Sequence, residues 1–427
     1  MKKNLLIWLS FLLSFNAVTK TVIHAGYLID GSNDNPMNEM SIYVVDNKIS
    51  EIVTGYIEPE PDDQYIDLSG YTVLPGLIDM HVHLTSNQSS TSRYTESTSL
   101  NPADYAIRSV NNAKKTLMAG FTTVRNLGGS DTVTVSLRNE IAKGTVPGPR
   151  IYTAGLSIAS TGGHADGTNS LNRELSSDPG PADGIINSPV DAYKAVRHRY
   201  KEGADLIKIT ATGGVLSNAK NGQNPQMTLE EIKSVVDAAR DYGFKVAAHA
   251  HGSEGIIRAV KAGVDSIEHG TLMDTEGMTL MRKEGTYYVP TLLAGAWVAE
   301  KALIEDYYPP FVQKKALEIG PQLISTFSKA YQAGVKIAFG TDTGVTPHGD
   351  NAKEFKLMVE AGMTEKEAIL SATFHASILL GEEENLGSIS KGKLADIIAV
   401  SGNPLEDITN LESVDFVMKD GNVVKKP

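Results

Sequence analysis

The chain has 427 residues, with 39 Lys and Arg against 51 Asp and Glu, for a formal net charge of −12. An acidic balance lacks the basic face that a nucleic-acid partner requires, and 41% hydrophobic with 21% charged residues is the makeup of a globular chain with a large core. Ten histidines accompany no cysteine, which excludes disulfides, thiolate metal sites, iron–sulfur clusters, a cysteine nucleophile and a lipid on sulfur.

Residues 1–20 come first. Lys2 and Lys3 precede an apolar run over 5–15, and the more polar Asn16-Ala17-Val18-Thr19-Lys20 follows. This is the layout of a secretory signal peptide, although Phe15 makes a poor cleavage pattern with Ala17. The run is too short for a stable membrane span, which needs about 20 apolar residues. Export, to a bacterial periplasm, is the expectation. Next, residues 21–74 hold short alternating strands at 21–29, 41–45, 48–54 and 65–68, separated by turn signals.

From residue 75 the pattern changes. An apolar run at 77–83 is followed by a helix in which Asn101 caps, Pro102 takes the first position, and Ala106, Val110, Ala113 and Leu117 share a face. A small unit then recurs: a helical stretch ends in glycine and a β-rich run follows at once. It appears at Gly120, Gly203, Gly243, Gly263, Gly285 and Gly334. With the runs at 77–83 and 150–154, this predicts eight strands whose near-continuous apolar character suits a parallel sheet covered on both faces. The fold class is α/β, with 75–385 a (β/α)8 TIM barrel. A doubly wound sheet is the alternative, but no Gly-rich phosphate loop follows the first strand. Strands return at 395–400 and 415–424, so 386–427 is expected to join 21–74 in one small β-sandwich domain built from both chain ends.

Potential metal ligands fall at the ends of these strands. His81-Val82-His83 closes the first, and strand alternation lets both imidazoles face one ion. Lys208, His249, His269 and Asp342 close later ones, on the face where barrel enzymes keep their sites. Each alone has a plainer reading: core histidines, a packed lysine, or a turn-capping aspartate in Gly340-Thr341-Asp342-Thr343-Gly344. Their common placement is what argues for a site.

The set Pro75-Gly76-Leu77-Ile78-Asp79-Met80-His81-Val82-His83, Lys208, His249, His269 and Gly340-Thr341-Asp342 resembles the amidohydrolase superfamily. Within it the chain is similar to the imidazolonepropionase-like branch that contains bacterial Xaa-Pro dipeptidases and carboxypeptidases of Xaa-Arg or Xaa-Lys type. The resemblance implies two divalent metal ions. His81, His83 and Asp342 would hold one, His249 and His269 the other, with Lys208 carboxylated by CO2 to a bridging carbamate. Zn2+ suits an imidazole-rich set, with Mn2+, Co2+ and Fe2+ as other occupants. It also implies hydrolysis of a peptide or amide C–N bond by hydroxide held between the metals, with Asp342 as general base and then acid.

The substrate side is less determined. His164, in Gly162-Gly163-His164, faces substrate in relatives; His251 lies two residues past His249, where several dipeptidase relatives carry tyrosine; His348 is placed at the mouth. His164 and His348 each have a bland alternative as a loop residue. Asp79 either orients a ligand from behind or caps its strand. His24 and His375 read as structural, His198 as a solvated helix residue, Tyr287, Tyr288 and Trp297 as packing, and 382–384 as a solvated turn. A small-molecule substrate is expected. Cyclic amides, lactones and N-acyl amino acids are alternative substrates, and a non-catalytic scaffold of the same fold is the alternative of another class. A homo-oligomer is compatible by analogy only.

Overall fold

The computed structural model describes residues 20–32, 35–87, 96–130, 132–217, 221–320 and 322–427. The expected signal segment lies outside them except for Lys20, which opens the first strand.

Seven strands form a mixed sheet drawn from both chain ends: β1 (Lys20–Leu28), β2 (Met37–Val45), β3 (Lys48–Thr54), β4 (Gln64–Pro75), and, after the parallel strands, β12 (Ile397–Val400), β13 (Val414–Lys419) and β14 (Asn422–Lys425), in the order β14-β13-β12-β4-β1-β2-β3. β4 joins the two ends, pairing parallel to β1 and antiparallel to β12, with Ile397 opposite Pro75. Alternate residues, such as Ile23, Ile42, Val73, Ile397 and Phe416, meet in a core of their own. The intervening Leu74, Ile398, Val414 and Val417 face the larger core beneath the parallel strands. The hydrogen bonds run through all seven strands without a break, because the long β4 carries the pairing from one chain end to the other, and their shared core agrees in part with the small β-sandwich expected from sequence.

The parallel strands are β5 (Leu77–Val82), β6 (Phe121–Asn126), β7 (Arg150–Thr153), β8 (Ile207–Thr210), β9 (Val246–Gly252), β10 (Ser266–Leu272) and β11 (Tyr287–Val289). They fall into two sheets, β5-β6-β7 and β11-β10-β9-β8. The eighth expected strand, at 335–340, is not a regular strand. It is a segment whose amides and carbonyls reach both neighbours: Ala338 N donates to Tyr288 O at 3.0 Å, and Met80 N to Phe339 O at 2.9 Å. Isolated parallel bridges pair Ile158 with Ile209, Tyr288 with Ile337, and Val82 with Thr343. Every residue of β5, β6 and β9 is buried, as strands covered on both faces require.

Helices follow the sequence cues. The helix Pro102–Met118 begins with proline at its first position, and the Asp104 carboxylate accepts from Asn101 N at 2.8 Å. The helices Pro189–Glu202 and Ser253–Ala262 end at Gly203 and Gly263, whose φ values of 88° and 93° are costly for residues with a Cβ. Between sheet and strands, Arg150 reaches from β7 to Asp396, at 2.8 Å, and to Asp420. Among the described residues, no helix is long and apolar enough to cross a membrane.

Candidate active site

β5 delivers His81 and His83, and the segment after Phe339 returns beside them, with Asp342 N donating to His81 O at 2.7 Å. Ligand atoms of His81, His83 and Asp342 all lie within 4.8 Å of one another. Asp342 has a φ of 55°, a conformation that L-residues adopt at a cost, which aims its carboxylate at the two rings. Asp342 Oδ1 stands 3.2 Å from His83 Nε2 and 3.5 Å from His81 Nε2.

The outer nitrogens decide the tautomers. His81 Nδ1 contacts Glu268 Oε2 at 2.9 Å, and His83 Nδ1 contacts the Gly128 carbonyl at 3.3 Å. A carboxylate and a carbonyl only accept, so both Nδ1 atoms carry protons and both Nε2 lone pairs face Asp342 Oδ1. That oxygen is buried without a hydrogen-bond donor. Three lone-pair atoms converging in a buried place repel one another, and a cation among them turns that repulsion into coordination. This donor set therefore fits a divalent metal.

The other expected ligands surround this group. The His81 and His269 rings are 5.0 Å apart, and those of His249 and His269 are 4.7 Å apart. Lys208 Nζ is 3.5 Å from His81 Nε2. On β10, His269 has a φ of 69°, and the ladder to β9 shifts register after it. Strict alternation would turn His269 away from the side that Glu268 faces; the positive φ brings both toward the site. Thr291, also at positive φ, holds His269 Nδ1 at 2.8 Å through Oγ1. His249 donates from Nε2 to Gly213 O at 3.1 Å, which leaves Nδ1 as its unprotonated atom.

Burial dominates the electrostatics. It pushes His81 down to about 4, helped by Lys208 and opposed by Asp342 and Glu268. It holds His249 and His269 well below the usual imidazole range and His251 at about 4. Burial also lowers Lys208 to about 8, against the pull of Glu268 and Asp342. For Asp342 burial acts upward but is outweighed by the protonated forms of His81 and His83 and by Lys208, so its carboxylate sits at about 2. Glu268 ends at about 2 in the same way, through Arg125 and His81. The result is neutral imidazoles around ionised carboxylates, which is the state metal ligation needs.

A cavity of about 310 Å3 opens over this cluster. One side is apolar, with Val215, Leu216, Val298, Ile319, Leu323 and Val345; Asp342 is the only carboxylate among the described lining residues. His164 lines the cavity and stacks on His249, ring centroids 4.3 Å apart. His251 also lines it, with Nδ1 2.8 Å from Thr271 Oγ1. His348 is not among the described lining residues; its Nε2 donates to Ser86 O at 2.9 Å, in the loop after β5. Asp79 receives the amides of His81 and Thr341, Thr341 Oγ1 and Asn351 Nδ2, tying β5 to the Asp342 segment. His24 is held between Ile57 O and Tyr65, and His198 contacts Glu202 along its own helix.

Several contributors escaped the sequence reading. Glu268 and Arg125 are buried partners on β10 and β6, 2.8 Å apart. Glu354 accepts from Leu292 N and Leu293 N at 2.8 and 2.6 Å, fixing the turn that carries Thr291. The available signal was a charged residue inside a short strand run, as at Arg125 and Glu268.

Comparison with known proteins agrees with this geometry. A model of the amidohydrolase family matches residues 72–424. Ochratoxinase of Aspergillus niger is 31% identical over 442 residues, covering 95% of this chain and 87% of that protein. A solved Xaa-Pro dipeptidase with methionine bound in its active site shares 54% identity at a TM-score of 0.93, covering 95% of this chain and all of that one (100%). A prolidase solved with N-methylphosphonate-L-proline shares 32% identity at a TM-score of 0.87, over 96% of this chain and 100% of that one. The likeness over nearly the whole length, and a His-His-Asp cluster at the ends of parallel strands, make this chain a member of the amidohydrolase family.

Proposed function

We propose that the chain is a metal-dependent dipeptidase that hydrolyses a C–N bond and releases a C-terminal residue, with Xaa-Pro substrates preferred to Xaa-Arg or Xaa-Lys. The observation that carries this is the cavity itself, which is lined by His81, His83 and Asp342 together with apolar side chains. A basic side chain would need a carboxylate partner there, and the described lining offers none besides Asp342. The similarity to a Xaa-Pro dipeptidase and to a prolidase supports the same choice.

Divalent ions held by His81, His83 and Asp342, and by His249 and His269 with a carbamate on Lys208, would polarise the carbonyl and lower the pKa of water from 15.7 to about 7. Zn2+ suits these donors best. The Asp342 carboxylate takes the proton of the attacking water and passes it to the departing nitrogen as the C–N bond breaks. His164 and His251, both lining the cavity, donate hydrogen bonds to the substrate carbonyl or carboxylate. Leu216, Val298 and Leu323 cover the apolar side chain and exclude water.

The same reading extends to the architecture. The two parallel sheets and the segment ending at Asp342 form one (β/α)8 barrel over 75–385, supported by the three bridges that link them. Residues 21–74 and 386–427 form one flanking unit, and 1–20 direct export; a mature protein beginning at Met1 would refute the last point.

The test is amino-acid release from a dipeptide library by Zn2+-loaded protein prepared with bicarbonate. Proline release supports the proposal, and release of arginine or lysine overturns the choice of branch. No release with two equivalents of metal bound moves the substrate to N-acyl amino acids, lactones or cyclic amides. No release and no metal revives the non-catalytic scaffold.

A further inference from the structure

The geometry points to Arg125 and Glu268 as positioning residues: a buried ion pair across the parallel strands that fixes which nitrogen of His81 is protonated and how far the β5 ligands stand from those of β10. The inference rests on the metal-site reading above, but only on its ligand geometry and not on any substrate.

Both side chains are almost wholly buried, Arg125 at 2% and Glu268 at 0% exposure. Arg125 uses its whole fork: Nε donates to Met80 O at 2.6 Å, Nη1 to Ser266 Oγ at 3.1 Å and Nη2 to Glu268 Oε1 at 2.8 Å. It therefore spans from its own strand, β6, to β5 on one side and to β10 on the other, and β5 and β10 belong to different sheets. Ser266 Oγ also donates to Glu268 Oε1 at 2.5 Å. With Oε1 occupied and an arginine that does not lose its proton, Glu268 meets His81 Nδ1 as an acceptor only, at 2.9 Å. The imidazole must then keep its proton on Nδ1 and present the Nε2 lone pair to the ligand group.

A buried ion pair is weak ground for stability. Replacing a buried ion pair with apolar residues of similar volume is often neutral or stabilising, so its presence calls for another reason. Its position supplies one. Glu268 directly precedes His269, so one stretch of β10 orients His81 through a side chain and delivers His269 through the main chain. The peptide anchored at Met80 O is the one that leads into His81.

The test uses metal-free full-length protein labelled with 15N-histidine, with the His81 signals assigned by their loss in His81→Gln. The wild type is expected to show His81 protonated on Nδ1. Glu268→Gln offers an amide that can donate to Nδ1, so the proton is expected to move to Nε2 and Zn2+ affinity, by chelator competition, to fall by about 10–100-fold. Arg125→Lys keeps the charge but loses the fork, and is expected to keep the tautomer with a smaller loss of affinity. A wild-type His81 protonated on Nε2, or Glu268→Gln with wild-type Zn2+ affinity, overturns the proposal. If Glu268→Gln does not fold, the wild-type spectrum decides alone. A chain that cleaves no dipeptide but shows the expected tautomer refutes the substrate reading and leaves this one standing.

Discussion

Acidifying the metal-free protein from pH 7 to pH 5 should destabilise it, because its buried imidazoles resist protons that the unfolded chain accepts. Folding depresses His81, His251 and His348 from 6.5 to about 4, chiefly by burial. A group with a depressed folded pKa gives stability that is present above the unfolded pKa and lost as pH falls through 6.5 toward 4. Each of the three then costs about 2 kcal/mol on going to pH 5. Two buried carboxyls act the other way. Burial raises Glu354 from 4.5 to about 8 and Asp79 from 3.8 to about 6, so both take up protons in the folded state first and return about 4 kcal/mol together over the same interval. The lowered histidines outnumber the raised carboxyls, five groups against two, so the loss prevails. His249 and His269, held well below the usual range by burial, deepen the loss. Urea denaturation of chelator-treated protein at the two pH values measures this. Equal or greater stability at pH 5 would refute the assignment of neutral buried imidazoles. Zn2+ should stabilise at pH 7, and by less at pH 5, where protons compete for the same nitrogens.

Other expected outcomes follow from single contacts. Asp342→Asn should keep the fold by circular dichroism but lose about 10²–10⁴-fold in kcat for want of a base; an active, metal-loaded variant would remove Asp342 from proton transfer. A Cβ at Gly214 would lie 2.1 Å from His164 Cε1, so Gly214→Ala should push that ring off His249 and raise KM, and an unchanged KM would take His164 out of substrate binding. Leu323 is buried both in the core and against the cavity, so Leu323→Ala should cost about 2–5 kcal/mol in denaturant unfolding and weaken binding of apolar substrates. Lys208→Met should lower metal content from two equivalents, as atomic absorption would show; two retained equivalents would exclude Lys208 as a ligand.

Much of the architecture is readable along the chain because it depends on local rules. Glycine ends helices at Gly203 and Gly263, proline begins one at Pro102, and apolar runs such as Leu77–Val82 mark strands covered on both faces. His81 and His83 share a side because residues two apart on a strand point the same way. What the tertiary structure decided are the relations between residues distant in sequence. Glu268 lies 187 positions from His81, and no periodicity links them. Nor does pattern reveal the positive φ of His269, Thr291 and Asp342, since L-residues hold that conformation only where surrounding packing enforces it. The eighth expected strand is an irregular segment that bonds to both neighbours and then carries Asp342 to His81 O. His348 is a further case: its contact with Ser86 O joins residues 262 positions apart, and a buried imidazole goes where its proton is received.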